Sequence, residues 1–319
     1  MKRNVPAVNH RSIGHMSIRL LVSLLIVGVF FYLLIPHLSA FHHSLSVIGH
    51  ARWIWLALSG GLLLMTFPAA AGVYRCLAKR PIRFYPTVLI QVASTFVNRI
   101  VPGGVGTLSL NYDYLRKLHH NAGQAGSVIA ANNAIGFLSN IILLAVALPL
   151  APFHIGHLSL TGITLYYWVV GTVIVAAITV LVWSQHLRKE IYRFIWSVGH
   201  NILKYRAHPL RLIGALLISM ILTSLYALCL AATAKALGTG INPAQALVIM
   251  TLGVTLGTIT PTPGGLGGAE AGLFTGCLAY HFAADQALAI TLAYRFFTYW
   301  LLLPVGGLAL YVVQRSGYV

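Results

Sequence analysis

Pro261-Thr262-Pro263-Gly264-Gly265-Leu266-Gly267-Gly268 interrupts an apolar stretch over residues 243–283, and Pro102-Gly103-Gly104-Val105-Gly106 interrupts another over 84–117. The shared Pro-Gly-Gly-x-Gly cores stand 161 residues apart, Pro102 against Pro263. Each is preceded by an apolar half-segment and followed by a half-helix of small residues, then by a full apolar span. Such Gly/Pro runs end helices, so each stretch reads as two short helices meeting at a break. Two copies at corresponding positions predict an all-α polytopic membrane bundle of two inverted halves, each with a re-entrant hairpin. Ordinary loops between short tilted spans are the competing reading.

Composition leaves no soluble alternative. The chain of 319 residues is 58% hydrophobic and only 8% charged, with mean hydropathy +0.82, whereas about a quarter of an ordinary globular chain is charged. Several apolar runs reach the roughly 20 residues that cross a bilayer. Spans are expected at about 18–36, 53–74, 124–149, 163–184, 211–236 and 287–313. The first, Ile18 to Ile35, reads as a retained anchor rather than a cleaved signal. Lys and Arg number 21 against four acids, giving +17. In a soluble protein that would suggest nucleic acid; here it sets orientation, and no nucleic-acid partner is expected.

Charge places the N-terminus, the regions after residues 75 and 116, the segment 188–211 and the C-terminus in the cytoplasm. Only Arg52 and Lys235 face out, and Arg99 and Arg295 lie within the membrane. The hairpin broken at 102–106 then enters from inside and the one broken at 261–268 from outside. The expected organisation is a single transmembrane domain over 1–319. Its first half is about 53–149, its second about 211–313, with an amphipathic inner-leaflet helix at about 187–206 between them. The expected location is the bacterial inner (cytoplasmic) membrane, multi-pass, with both termini cytoplasmic.

Corresponding Gly/Pro interruptions in two halves of a transporter point to the substrate site. Broken helices leave polar backbone groups tolerated at depth only against protein or a wet cavity, and half-helix N-termini suit an anion. Arg99 lies three residues before the first break, Arg295 lies in the last span, and Glu270 follows the second break. A charge at depth is expensive and should face protein or water. Arginine's planar fork meets phosphate in two bonds, so Arg99 and Arg295 are candidate readers of a lipid phosphate, with Glu270 orienting Arg295. A structural Arg295–Glu270 ion pair is the alternative. Gly103, Gly104, Gly264 and Gly265 complete the candidate substrate site. Asn133, with Asn132 beside it, holds in the first half the place that Arg295 and Tyr294 hold in the second. The 14 histidines and the cysteines Cys76, Cys229 and Cys277 show no metal-ligand spacing, and neither metal nor cofactor is expected.

Thr260-Pro261-Thr262-Pro263-Gly264-Gly265-Leu266-Gly267-Gly268-Ala269-Glu270, followed by Ala293-Tyr294-Arg295-Phe296 and Tyr299-Trp300, resembles the signature of one family. This is the flippase-like transmembrane family named after lysylphosphatidylglycerol synthases. Asn98-Arg99-Ile100-Val101-Pro102-Gly103-Gly104 resembles its first-half motif, and the likeness extends over about residues 15–315. The resemblance implies broken or re-entrant helices in two halves. It also implies a lipid partner: a membrane phospholipid, a hopanoid-related lipid or a polyprenyl-phosphate lipid. Gly106-Thr107 stands where members often carry Gly-Glu, and Asn132-Asn133 near where they often carry Glu-Arg. The less charged first half points away from a lysyl-lipid. No soluble synthase domain, and so no lysyl transfer by this chain, is expected.

The leading expectation is a lipid translocase, not an enzyme, moving an anionic or phosphate-bearing lipid between leaflets. The alternatives are a non-catalytic membrane subunit or scaffold for lipid-modifying enzymes, and an enzyme acting on lipid-linked substrates. Homo-oligomerisation or a lipid-modifying enzyme partner is compatible with all three. Four dispersed acids make a poor site for metal-assisted phosphoryl chemistry. There is no GxxxxGK[ST] loop, so transport would draw on a gradient or on consumption of the lipid at the far side.

Overall fold

The computed structural model describes residues 51–78, 80–101, 105–151, 209–260 and 262–319, and the regular structure among them is entirely helical. In chain order the first four helices are α1 (Trp53–Leu77), α2 (Phe84–Ile100), α3 (Val105–Lys117) and α4 (Ala122–Leu150). After them come α5 (Pro209–Ala236), α6 (Pro243–Ile259), a 3₁₀ turn (Pro263–Gly265) and α7 (Gly268–Ala279). The chain then continues through α8 (Ala284–Arg295), a π-helical segment (Phe296–Trp300) and α9 (Leu302–Arg315). Four of these stretches are long and apolar enough to cross a membrane: α1, α4, α5 and the run Ala284–Arg315. They coincide with the spans expected at 53–74, 124–149, 211–236 and 287–313. The spans expected at 18–36 and 163–184 and the amphipathic helix at 187–206 lie outside the described residues. The protein is a multi-pass helical membrane protein.

Local chemistry sets the helix starts. Asn121 caps α4: its Oδ1 accepts from Gln124 N at 2.8 Å while Gln124 Oε1 accepts from Asn121 N at 3.1 Å. Asn242 does the same for α6 with Ala244 and Gln245, and Pro243 occupies the first helical position. Reciprocal pairs of this kind satisfy donors that a helix start leaves open.

The helices of each short pair pack on each other, by different means. Along α6 and α7 the helices touch at glycine. A Cβ on Gly272 would sit 2.6 Å from the Leu252 carbonyl oxygen, and one on Gly253 would sit 2.8 Å from Leu273. Small residues permit this backbone approach. The pair α2 and α3 is joined by side-chain hydrogen bonds instead. Gln91 Nε2 donates to Asn111 Oδ1 at 2.8 Å, Asn111 Nδ2 donates to Ser94 Oγ at 3.2 Å, and the Thr87 and Tyr114 hydroxyls meet at 2.9 Å. Every member is buried, so this ladder shields polar groups that hydrocarbon would leave unsatisfied.

Helix order and helix packing both repeat. Lengths run 25, 17, 13 and 29 residues through α1–α4, and 28, 17 and 12 through α5–α7 before the 32-residue Ala284–Arg315 run. Exchanging the two sets preserves the contacts: α1 packs on α2 as α5 on α6, α3 on α4 as α7 on α8, and α2 on α9 as α6 on α4. The extensive α1–α5 contact joins the sets. It is antiparallel: Arg52 N donates to the Ala236 carbonyl at 2.8 Å, Ser59 Oγ meets Thr233 Oγ1 at 2.8 Å, and Gly72 faces Ile218.

The α1–α5 pair defines two ends. At the end formed by the α1 C-terminus, Val73, Tyr74 and Leu77 pack with Ile82, Leu115, Ala125 and Ala215. Arg75, Arg83, Arg116 and Arg211 lie on the segments gathered there, and Lys117 reaches the Gly317 carbonyl at 3.3 Å. At the other end Lys235 lies 4.1 Å from the centre of the Trp55 ring, and Tyr280 donates to the Ala151 carbonyl at 3.0 Å. The outer ends of α2 and α3 are thus at the basic end, and those of α6 and α7 at the opposite one.

Candidate functional site

Arg295 closes α8, and the helix then opens into the π segment, where Leu301 N donates to the Phe296 carbonyl five residues back at 2.9 Å. Arg295 and Tyr299 are four residues apart and share a helix face. The Tyr299 ring is 6% exposed, with the Arg295 guanidinium 4.8 Å from its centroid and the Arg99 guanidinium, from the end of α2, at 5.3 Å. The ring's electron-rich faces attract both cations and hold together two like charges that would otherwise repel. Arg99 also donates to the carbonyls of Thr95 and of Thr298. The second lies within the π segment, where the regular ladder is disturbed and a carbonyl is available. The buried Arg99 Nε has no hydrogen-bond partner among the described residues.

Among the described residues one carboxylate pairs with these two cations. Arg295 Nε donates to Glu270 Oε1 at 2.5 Å, and its second nitrogen approaches the Gly264 carbonyl at 3.4 Å. Glu270 Oε2 accepts from Gly267 N at 2.7 Å, so the acid that pairs with Arg295 also caps α7. The donor at the α7 start that sequence reasoning offered to an external anion is therefore taken internally. With side chains 12% and 13% exposed, Arg295 and Glu270 form a partly desolvated pair, and the stack of Arg99, Tyr299, Arg295 and Glu270 retains one net positive charge.

The glycines supply clearance. Gly264 has φ +61°, and a Cβ there would stand 2.5 Å from Tyr299 Cε2 and 3.3 Å from Arg99 Cγ. Gly265 presses on α6, its missing Cβ 2.6 Å from the Gly257 carbonyl oxygen. The second break thus meets the residue preceding the first break directly at the stack. Gly103 and Gly104 lie outside the described residues.

Beside the stack a cavity of about 870 Å³ opens among α4, α5, α6 and α8. Asn133, Gly264, Gly265 and Arg295 line it, whereas Arg99 and Glu270 stand outside its wall, Arg99 bonded to the lining residue Thr298 and Glu270 to Arg295. Arg295 is the one charged residue of that wall among the described residues. The rest is hydroxyl, amide and apolar: Asn98, Asn140, Tyr226, Thr251, Thr258 and Thr298, with exposed Phe137, Val254 and Ile259 among the lining residues. Among the described residues no three His, Cys, Asp or Glu side chains are grouped to hold a metal.

Sequence reasoning therefore brought together Arg99, Arg295, Glu270 and the second-break glycines, but gave no part to Tyr299, Asn98 or the threonines. The signals were present. Tyr299 follows Arg295 by one helical turn, and Thr251, Thr255 and Thr258 recur at the spacing of one helix face.

No curated protein matches the sequence. Residues 12–306 match the model of the lysylphosphatidylglycerol synthase TM region, and the chain belongs to that family.

Proposed function

We propose that the protein is a lipid translocase, acting without covalent chemistry, that moves an anionic or phosphate-bearing lipid between the leaflets of the bacterial inner membrane. The observation that carries this reading is the net-positive stack where Arg99, at the end of α2, meets the second helix break, beside a cavity with polar and apolar walls. A phosphate entering the cavity meets Arg295 as the contacting cation. Arg99 adds charge from behind Tyr299 and fixes the ring, while the acyl tails leave past Phe137, Val254 and Ile259 into lipid.

In the same reading the α2–α3 and α6–α7 pairs are re-entrant hairpins. At 1.5 Å per residue α3 and α7 reach only about 20 and 18 Å, short of the roughly 30 Å hydrocarbon layer. The hairpins' outer ends lie at opposite ends of the α1–α5 pair, which supports entry from opposite leaflets and hence two inverted halves. The basic end, with the C-terminus, faces the cytoplasm by the positive-inside rule. Alternate opening of the two hairpins around a fixed stack then exposes one site to each leaflet in turn.

The test is native mass spectrometry of protein purified in mild detergent, with Arg295→Ala and Arg99→Ala beside it. A specific phospholipid or polyprenyl-phosphate lipid retained by the parent, lost from Arg295→Ala and weakened in Arg99→Ala, is the expected result. Bulk lipid unchanged by either substitution would make both arginines structural and remove the reading.

A further inference from the structure

The walls of the cavity carry information about the headgroup beyond its phosphate. Thr251, Thr258 and Thr298 donate their hydroxyl protons to carbonyls one turn back, at 2.7 to 2.9 Å, and Thr262 donates to the Leu266 carbonyl at 2.7 Å. A hydroxyl has one proton and two lone pairs, so these four residues have only acceptor capacity left for a ligand. Asn98, also of the wall, has a buried side-chain oxygen with no partner among the described residues. The cavity thus joins one cation to a set of hydroxyl acceptors, beside the amides of Asn133 and Asn140, which can both donate and accept. Among the described residues it has no acid in its wall: Glu270 stands outside that wall, and each of its oxygens already accepts a bond, from Arg295 and from Gly267.

This set of groups discriminates. Hydroxyl donors satisfy neutral acceptors at no electrostatic cost. An ammonium group would have to leave water beside a net-positive stack with no carboxylate in the wall among the described residues to receive it, and a charge moved from water without a counter-ion is strongly disfavoured. We propose that the headgroup taken by this cavity is a phosphodiester bearing a hydroxyl-rich, amine-free moiety, such as a glycerol, an inositol or a sugar. This rests on the lipid-translocation reading and narrows it.

The test is competitive. Purified protein is offered an equimolar, acyl-matched mixture of phosphatidylglycerol, phosphatidylinositol, phosphatidic acid, phosphatidylethanolamine and lysylphosphatidylglycerol, and retained lipid is read by native mass spectrometry. Phosphatidylglycerol and phosphatidylinositol should exceed the two amine lipids by about ten-fold and phosphatidic acid by about three-fold, the scale of one mispaired polar group. Thr251→Val and Thr258→Val should bring the preference over phosphatidic acid towards one while leaving the preference over phosphatidylethanolamine intact. Equal retention of either amine lipid, or of phosphatidic acid, overturns the proposal. If that equality still depends on Arg295, tested with Arg295→Gln, the lipid reading stands while this one falls. If no retention depends on Arg295, both fall. Water-soluble glycerophosphoglycerol is included in the mixture, and its retention over phosphatidylglycerol would assign the site to a soluble phosphodiester and overturn the lipid assignment.

Discussion

Replacing Gly264 by alanine tests whether the stack depends on clearance at the second break. A methyl group there carries two costs. The first is the left-handed backbone, φ +61°, about 1 kcal/mol for a residue with a Cβ. The second is collision: the added carbon would stand 2.5 Å from Tyr299 Cε2, whereas carbon atoms rest about 3.5 to 4.0 Å apart, so ring and turn must separate by about 1 Å. Tyr299 is buried, and moving it weakens two cation–π contacts of about 0.5 to 1 kcal/mol each. The expected loss is about 2 to 3 kcal/mol, measurable by steric-trap unfolding in bicelles. Gly238→Ala is the internal control: its φ is +79° and its missing Cβ meets nothing within 4 Å, so it should lose only the backbone share. In a Tyr299→Ala background Gly264→Ala should likewise lose only about 1 kcal/mol, because the collision is gone. Equal losses for Gly264→Ala and Gly238→Ala in the parent would refute the reasoning.

Two further outcomes follow from charge. Glu270→Gln removes the carboxylate paired with Arg295, so lipid-free protein should lose about 2 to 3 kcal/mol of stability, below the full cost of breaking a buried pair because the pair is partly exposed and the amide still accepts a hydrogen bond. The same change raises the positive charge of the stack, so added phosphatidylglycerol should raise the melting temperature more than in the parent; a smaller rise contradicts the charge assignment. His120, in the turn between α3 and α4, is held below the usual histidine value chiefly by burial, with the charge of Arg80 adding and the Leu115 and Leu118 carbonyls opposing. The folded protein therefore resists protonation that the unfolded chain accepts at about pH 6.5, and stability should fall as pH drops below that point. His120→Gln should flatten the pH 7 to 5 melting curve; an unchanged slope would assign the acid sensitivity elsewhere.

The sequence makes the two breaks, four spans and three charged residues legible for plain reasons. Glycine and proline end helices wherever they cluster, twenty apolar residues have few other uses, and a charge in an apolar run is conspicuous. What it does not announce depends on where helices meet. Nothing local to Arg99 says that it will lie over an aromatic ring of the last span and donate to the Thr298 carbonyl, because that carbonyl becomes available through a π turn no residue pattern here marks. Tyr299 reads as one more aromatic in an aromatic-rich helix until both guanidinium groups are found on it. The threonines read as tolerated polar residues, since their hydroxyls bond their own helices. Their remaining acceptor capacity matters only once α4, α5 and α8 close a cavity beside them.

The most direct measurement is lipid movement itself. Protein reconstituted into liposomes carrying acyl-labelled phosphatidylglycerol in one leaflet should accelerate its appearance in the other, with acceleration lost in Arg295→Gln and reduced in Arg99→Gln at equal folded protein content. Movement no faster than in protein-free liposomes, or acceleration indifferent to both arginines, would contradict the account.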